Sequence, residues 1–185
     1  MPWVALDGCV GCGKTTTLRL MEADVLVLPE PAQRVPADAA FERCSRVVRD
    51  RVLSKLAVQV GQSKTAWACM ERSPDMHRRM LHTQGLDPEH RHALEASYET
   101  GALLWRPAGI IYIRVPPETL FERTRQREDA TTVAWHQEMH AAHEAAIADI
   151  IAEGTVVVRC IDAADMTKEE VAASVLRAYK TMYVC

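Results

Sequence analysis

Asparagine is missing altogether from this chain of 185 residues. N-glycosylation is therefore excluded, because the sugar is attached to an asparagine side chain. A large excess of positive or of negative charge is missing as well, since the formal net charge is only −3. Duplex nucleic acid is bound by clustered Lys and Arg side chains that displace counterions. We therefore expect no nucleic-acid partner, and any phosphate chemistry should act on a small molecule.

Long apolar runs are also missing. A membrane-spanning helix needs about 20 consecutive apolar residues, and no run in the sequence approaches that length. The chain enters an apolar strand at once, without a signal-peptide pattern or an Arg- and Ser-rich transit segment. Its six cysteines are expected to be reduced thiols. These observations predict no membrane partner and a cytoplasmic location, which would be the host cytoplasm if the chain is viral.

Short apolar runs and segments of helical periodicity alternate along the whole sequence. Five buried strands are predicted, at residues 3–6, 25–28, 65–70, 110–113 and 155–158. Helices are predicted over residues 14–22, 39–60, 74–82, 88–104, 117–126, 168–180 and, after a Thr131-Thr132 cap, to about residue 152. Strands that alternate with helices form a parallel sheet covered on both faces. The predicted fold is α/β, with a five-stranded parallel sheet flanked by helices in one domain over residues 1–185.

A glycine-rich loop joins the first predicted strand to the first helix. From Gly8 to Thr15 it reads Gly-Cys-Val-Gly-Cys-Gly-Lys-Thr, which matches the phosphate-loop motif G-x-x-x-x-G-K-[ST] in full. Backbone N–H groups of such a loop point at phosphate oxygens, and the following helix presents its positive end to the same anion. Lys14 should reach the β and γ phosphates of ATP, and the Thr15 hydroxyl should ligate Mg²⁺. The residues expected to bind the nucleotide are Gly8, Gly11, Cys12, Gly13, Lys14, Thr15 and Thr16.

The same loop contains a Cys-x-x-Cys pair, Cys9 and Cys12. Both cysteines stand at free positions of the motif, so we interpret them as loop residues rather than as a redox pair. A position near a helix N-terminus could nevertheless lower their pKa values and make them sensitive to oxidation.

Four blocks, in order, resemble the deoxynucleoside kinase family, which contains deoxycytidine, deoxyguanosine and mitochondrial thymidine kinases and viral relatives. They are the phosphate loop, Glu30-Pro31, Glu71-Arg72-Ser73, and a block from Ile111 to Glu144 that includes Arg123, Arg125 and Arg127. The resemblance implies a three-layer P-loop nucleoside/nucleotide kinase fold, ATP and Mg²⁺ as cofactors, and a nucleoside as the small-molecule substrate. A GTPase is excluded separately, because a chain without asparagine cannot supply the guanine-reading Asn-Lys-x-Asp motif.

The family places its catalytic carboxylate after the second strand, where this chain has Glu30. Transfer of a phosphoryl group to a sugar hydroxyl needs a carboxylate within hydrogen-bond reach of that hydroxyl, so Glu30 is the candidate general base. Glu71 is expected to help hold Mg²⁺. Arg72 is expected to contact the 5′-hydroxyl region of the substrate or the transferring phosphate.

Residues 123–132 resemble the arginine-bearing lid of the family. Arg123 and Arg127 align best with the family pattern and are expected to stabilise the transferring phosphoryl group. Arg125 is expected to contact the nucleotide. Glu128 is the candidate contact to the sugar 3′-hydroxyl, with Asp129 as the alternative. Residues 161–165 resemble the loop on the adenine side.

The segment from Phe41 to Arg49 resembles the helix by which the family reads the base. Arg49 fits the arginine of that helix, whereas Glu42 stands where the family has a glutamine. An ionised carboxylate only accepts hydrogen bonds, so the base preference stays open between thymidine and deoxycytidine. The family's sugar-side aromatic residues are also missing, and Trp67, Tyr98 or Trp105 could replace them.

Two further features concern assembly and metals. The resemblance implies a homodimer joined through helices, for which residues 39–60 with Leu94, Leu103 and Leu104 could supply the face.

His136, His140 and His143 share helical spacing, but they lack the H-E-x-x-H order of a zinc site. We interpret these histidines as a partly exposed helix face.

Two other functions remain open. A nucleoside monophosphate kinase of the thymidylate kinase type has a similar fold and lid, although an Asp-Arg pair would be expected where this chain has Glu71-Arg72. An arginine that faces the substrate phosphate, Arg34 or Arg49, would favour this alternative. A non-catalytic nucleotide-binding module is the second alternative, and the intact phosphate loop and carboxylates argue against it.

Overall fold

The computed structural model describes residues 3–28, 68–104, 106–125 and 131–182. The strands in these ranges are β1 (Trp3–Asp7), β2 (Leu26–Leu28), β3 (Ala68–Glu71), β4 (Gly109–Arg114) and β5 (Val157–Asp162). The helices are α1 (Lys14–Met21), α2 (Pro74–Arg79), α3 (Pro88–Leu104), α4 (Pro117–Thr124), α5 (Val133–Glu153) and α6 (Lys168–Met182), and a 3₁₀ turn spans Leu81–Gln84. The predicted strand residues 65–67 and the predicted helix 39–60 lie outside the described ranges.

The five strands form one parallel sheet in the order β2-β3-β1-β4-β5. In its register Val4 pairs with both Cys69 and Gly109, on opposite sides of β1. The expected α/β fold, with a five-stranded parallel sheet flanked by helices, is therefore confirmed. Because β1 is central, the loop that follows it emerges in the middle of the edge where parallel sheets bind ligands.

Apolar side chains from alternate strand positions bury the two faces of the sheet. One face packs against α1 and α6, and its core contains Val4, Leu6, Ile111, Ile113, Leu18, Met21, Val171 and Val175. The other face packs against α2 and α5, and its core contains Trp3, Ala5, Ile110, Tyr112, Met76, Ile147 and Ile150. Strands buried on both faces are continuously apolar, which is why β1 and β4 could be recognised from short hydrophobic runs.

The predicted fifth strand begins two residues before the observed strand and ends four residues before it. The observed strand spans Val157–Asp162 rather than residues 155–158, and most of its residues are exposed. As an edge strand, β5 pairs with β4 alone in the described sheet, so polar residues such as Arg159 and Asp162 can follow the backbone ladder without being buried. A search for apolar runs misses such a strand. Ile161 and Asp162 therefore belong to β5 and not to the predicted adenine-side loop.

The predicted helix 74–82 is also divided. α2 ends at Arg79, and the chain continues as the 3₁₀ turn that closes at Gly85, whose φ of 64° is in the left-handed region. Leu94 of α3 is only 3% exposed, so its predicted place in a dimer face is wrong, because its side chain is already buried within the protomer. Across the described ranges, no helix combines the length and the apolar character needed to cross a bilayer.

The N-terminus of α5 is capped as the Thr131-Thr132 pair predicted. The Thr132 hydroxyl accepts a hydrogen bond of 3.1 Å from the Trp135 backbone N–H. This bond satisfies one of the N–H groups that the first turn of a helix leaves without a partner. The helix then runs for 21 residues to Glu153 and is followed by Gly154, which adopts the left-handed conformation.

Replacement of Thr132 by alanine should remove the cap of α5. We expect Thr132→Ala to lower the free energy of unfolding by about 1 kcal/mol, the usual cost of such a change. Thr132→Ser keeps the hydroxyl and is the matched control. Urea denaturation followed by circular dichroism measures both, and equal stability of the two variants would contradict the role assigned to the cap.

Candidate active site

The phosphate loop packs tightly against two neighbouring elements. A Cβ atom at Gly8 would lie 2.6 Å from the Ile113 carbonyl oxygen of β4, and φ at Gly8 is +147°. A Cβ atom at Gly11 would lie 2.7 Å from Thr124 Cγ2 of α4, and φ at Gly11 is +87°. Side chains would be both strained and crowded at these positions. The glycines therefore allow the loop backbone to lie directly on β4 and α4.

Lys14 is held inside this loop, although it is the first residue of α1. Its side chain is 5% exposed, and Nζ donates hydrogen bonds to the carbonyl oxygens of Gly8 at 2.7 Å and Cys9 at 3.1 Å. The third neighbour of the ammonium group is Cys12 Sγ at 3.8 Å. The charge of Lys14 is thus fixed at the centre of the loop, where the motif requires it to face phosphate oxygens.

Thr15 and Glu71 bring two oxygen groups together beside the loop. Thr15 Oγ1 donates to the Glu71 carboxylate, at 3.2 Å from Oε1 and 3.1 Å from Oε2. Glu71 ends β3 and is 4% exposed. Mg²⁺ prefers oxygen ligands and usually takes one or two protein carboxylates together with waters and substrate phosphates. The Thr15 hydroxyl and the Glu71 carboxylate are oxygen groups of the type that Mg²⁺ prefers. The two residues predicted to hold the metal are therefore in contact with each other.

The phosphate loop and the end of β3 line a small pocket. Its volume is about 160 Å³, and it is lined by Val10, Gly11, Gly13, Lys14, Thr15, Thr16, Glu71 and Arg72. The structure therefore brings Arg72, predicted for catalysis and substrate binding, to the same cavity as Lys14 and the Thr15–Glu71 pair. These side chains come from the start of α1 and from the end of β3, which are far apart in sequence.

The turn that carries Arg72 is held by Asp7, a residue that the sequence analysis missed. Arg72 adopts a φ of +64°, a left-handed conformation that costs a non-glycine residue roughly 1–2 kcal/mol. Its N–H donates to the Leu6 carbonyl at 2.8 Å, and the next N–H, of Ser73, donates to both oxygens of the Asp7 carboxylate, at 3.2 and 3.0 Å. A carboxylate that directly precedes the phosphate loop was the signal that could have revealed this contact.

A larger pocket of about 560 Å³ opens on the other side of the loop. It is lined by Gly11, Cys12, Gly13, Thr16, Thr17, Glu122, Arg123, Met166, Lys168 and Val171. The predicted nucleotide contacts Cys12 and Thr16 and the predicted catalytic Arg123 are thus neighbours in one cavity. Arg125 is different: its side chain is 57% exposed, and NH2 pairs with the Glu122 carboxylate at 2.6 Å.

Several predicted site residues lie outside the described ranges. They are Glu30, Glu42, Arg49, Arg127 and Glu128, together with Arg34, Trp67, Trp105 and Asp129. Their roles stay predictions.

The sequence model of deoxynucleoside kinases matches residues 4–184, which is nearly the whole chain. The chain belongs to the deoxynucleoside kinase family. It is accordingly a nucleotide-binding kinase, and the resemblance carried by the four sequence blocks is confirmed. A search of curated proteins found no match.

The two loop cysteines of this kinase are buried, and their predicted sensitivity is not supported. Cys9 and Cys12 are each 2% exposed. Burial, together with the neighbouring Cys12 thiol, raises the pKa of the Cys9 thiol to about 12, so the expectation of a lowered pKa is wrong for this residue. Desolvation of a thiolate outweighs the nearby Lys14 charge here. Cys9 Sγ instead faces the Met139 carbonyl of α5 at 3.9 Å.

The histidines of α5 were interpreted as a partly exposed face, and this is wrong for two of the three. His136 and His143 are 1% and 3% exposed, because they face the interior side of α5. Burial lowers the pKa of His143 to about 4. Its Nδ1 lies 2.8 Å from the Met139 carbonyl of its own helix, whereas His136 contacts threonines outside the helix. Within the described ranges, no three His, Cys, Asp or Glu side chains are grouped as metal ligands.

An ion-pair cluster at the end of β4 was also missed. The Arg114 guanidinium donates to Glu144 of α5 over distances of 2.8 to 3.1 Å and to Asp162 of β5 at 3.2 Å. Paired N–H donors match the geometry of a carboxylate. Arg114 therefore ties β5 and α5 to the strand against which the phosphate loop packs.

The buried carboxyl group of Asp7 makes the stability of the kinase depend on pH. Burial raises its pKa from the ordinary value of 3.8 to about 6, against the opposing effect of the Ser73 hydrogen bonds. Between these pH values the folded chain binds the proton more strongly than the unfolded chain, so the contribution of Asp7 to stability is lost as the pH rises through this window.

We expect Asp7→Asn, which removes the charge and keeps an acceptor for the Ser73 N–H, to gain stability relative to the unmodified chain as the pH rises from 5 to 7.5. The expected relative gain is about 1 kcal/mol in the free energy of unfolding. Asp165→Asn, at an exposed position, is the control. If both variants follow the unmodified chain in parallel across the pH range, the assignment is wrong.

Proposed function

We propose that this kinase transfers the γ-phosphoryl group of ATP, with Mg²⁺, to the 5′-hydroxyl of a deoxynucleoside, thymidine or deoxycytidine. One observation carries the proposal. In a chain of the deoxynucleoside kinase family, Lys14, the Thr15–Glu71 pair and Arg72 line a single phosphate-sized pocket. Phosphoryl transfer depends mainly on positioning and on electrostatic stabilisation of the moving group, and these residues supply both.

Lys14 would bind the β and γ phosphates. Two of its three N–H donors are used by loop carbonyl oxygens, which fix the ammonium group in the loop. The third direction leads to Cys12 Sγ at 3.8 Å, a weak acceptor that a phosphate oxygen would readily replace. The buried charge is therefore oriented before the nucleotide arrives, and little reorganisation is needed during transfer.

Thr15 and Glu71 would hold Mg²⁺. When bound there, Mg²⁺ would neutralise negative charge on the β and γ phosphates. The role of the protein is to fix the two oxygen groups: Thr15 by its place in the first turn of α1, and Glu71 by its place at the buried end of β3. Both positions belong to regular elements, which hold a metal-binding geometry more tightly than loops do.

Arg72 and Arg123 would approach the phosphates from the two pockets on either side of the loop. Arg72 is fixed by the strained turn on Asp7, and Arg123 by the last turn of α4. Glu30 would accept the proton of the 5′-hydroxyl, and Arg127, Arg125 and Glu128 would complete the contacts to phosphate and sugar. The roles of these four residues rest on the family resemblance.

The preferred base would be set by Glu42 and Arg49. A carboxylate at position 42 accepts hydrogen bonds from a base but donates none when ionised, which is compatible with the amino group of cytosine. The resemblance also supports a homodimer that works in the cytoplasm on a small-molecule substrate.

Release of ADP should be measured with ATP, Mg²⁺ and each deoxynucleoside and deoxynucleoside monophosphate in turn. We expect turnover with a nucleoside, and a loss of roughly 10²- to 10⁴-fold in Glu30→Gln because the general base is removed. Glu22→Gln, at an exposed position beyond α1, is the matched control. Turnover with monophosphates alone would instead assign a nucleotide kinase and direct attention to Arg34 and Arg49. ATP binding without turnover would leave a nucleotide-binding module.

The metal site has its own test. Thr15→Ala removes one of the two proposed oxygen ligands, so it should raise the Mg²⁺ concentration needed for half-maximal activity by roughly tenfold or more, because loss of even an outer-shell partner costs about 10- to 100-fold in metal affinity. Thr15→Ser keeps the hydroxyl and should stay close to the unmodified chain. If the Mg²⁺ dependence of Thr15→Ala equals that of the unmodified chain, Thr15 is excluded as a ligand.

A further inference from the structure

A buried hydrogen bond joins the end of α4 to the beginning of α5. We propose that His136 is a positioning residue that fixes the last turn of α4, and with it Arg123, against the phosphate loop. The inference rests on the proposed function, in which Arg123 acts on the phosphates. It gives a role to a histidine that does not itself line either pocket of the site.

The bond itself is short and excluded from water. His136 Nε2 lies 2.8 Å from Thr124 Oγ1 and 3.2 Å from Thr131 Oγ1. Thr124 is fully buried and His136 is 1% exposed. Water therefore cannot replace either partner, and loss of the Thr124 hydroxyl leaves His136 Nε2 with only the longer contact to Thr131 Oγ1.

Neighbouring aromatic rings fix the orientation of the imidazole. The His136 ring meets Trp135 edge to face, with ring centroids 4.9 Å apart, and Phe121 of α4 at 6.1 Å. Such edge-to-face contacts are favoured by the charge distribution of aromatic rings. His136 is thus held from α4 and α5 at once, and its Nε2 atom is directed at the threonine hydroxyl.

The proton assignment follows from the acceptors around Thr124. Its hydroxyl lies 3.0 Å from the Leu120 carbonyl oxygen, which takes the hydroxyl proton. The hydroxyl oxygen then accepts from Nε2–H of a neutral His136. Burial lowers the pKa of His136. The imidazole therefore stays neutral, and Nε2–H remains the donor to the Thr124 hydroxyl oxygen.

Thr124 transmits this constraint to the phosphate loop. A Cβ atom at Gly11 would lie 2.7 Å from Thr124 Cγ2 and 3.2 Å from the Leu120 carbonyl oxygen, so the last turn of α4 is pressed onto the loop. Arg123 directly precedes Thr124 and lines the pocket that the loop borders. A rotation of this turn would move the Arg123 guanidinium relative to the phosphates, and displacement of about 1 Å in a catalytic group can cost 10²-fold in rate.

A double-mutant cycle separates positioning from simple stabilisation of the fold. Thr124→Val removes the hydroxyl and keeps the methyl group that touches the loop, whereas Thr124→Ser keeps the hydroxyl. Each is combined with Arg123→Ala, and His136→Phe and His136→Asn are tested in the same way. Thr181→Val, which removes a hydroxyl bonded to the backbone of α6, is the matched control.

If His136 acts through Arg123, Thr124→Val and His136→Phe should each lower kcat by roughly 3- to 10-fold, the value of one hydrogen bond. The same changes should have little further effect, less than about twofold, once Arg123 is alanine. Thr124→Ser and His136→Asn, which retain a hydrogen-bonding group, should recover much of the loss. Thr181→Val should leave kcat unchanged.

Equal losses in the presence and absence of Arg123 would overturn the inference, because independent effects add. The cycle is read in kcat for whichever acceptor is turned over, and separately in the Kd for ATP, which needs no acceptor. Coupling in either measurement supports the inference, and additivity in both rejects it. Absence of turnover in the unmodified chain would instead count against the proposed function, so the two failures are distinct.

Discussion

The phosphate loop lies on the end of β4 with no side chain between them, and this contact sets the position of the rest of the site. A Cβ atom at Gly8 would lie only 2.6 Å from the Ile113 carbonyl oxygen, so the glycine backbone is in close contact with β4. The loop cannot move away without losing packing or closer without a clash. Because β1 is flanked by β3 and β4, the loop is placed between Glu71 on one side and α4 on the other. One backbone contact thus defines two pockets.

Burial governs the chemistry of the groups beneath the loop. Asp7, Lys14 and Glu71 are each at most 5% exposed, so each must be paired or hydrogen-bonded to remain charged. Loop carbonyls receive the ammonium of Lys14, and the Thr15 hydroxyl donates to Glu71. Where no such partner is strong enough, as for Cys9, burial raises the pKa instead. The charged groups of the loop are therefore oriented in advance, as the proposed transfer of a phosphoryl group requires.

The elements around the phosphate loop are held in place by residues that line neither pocket. Asp7 accepts the N–H that follows Arg72 and so stabilises a left-handed turn. Arg114 of β4 pairs with Glu144 of α5 and with Asp162 of β5. The backbone strain of a left-handed Arg72 persists only where the surrounding structure holds it firmly. The contacts join β1, β4, β5, α5 and the turn after β3, and their sequence separations range from 30 to 66 residues.

Local sequence was enough to identify the fold of this protein and to locate its phosphate loop. Strands buried on both faces are continuously apolar, and a glycine loop between strand and helix binds phosphate by its backbone, so β1, α1 and Lys14 could be assigned from neighbours in sequence. The Thr15–Glu71 pair and the buried faces of His136 and His143 were decided by tertiary structure. Their environment depends on which elements pack together, and no local pattern records this. The bounds of the edge strand β5 were also decided by tertiary structure, because this strand is held by pairing with β4 and not by burial of its side chains.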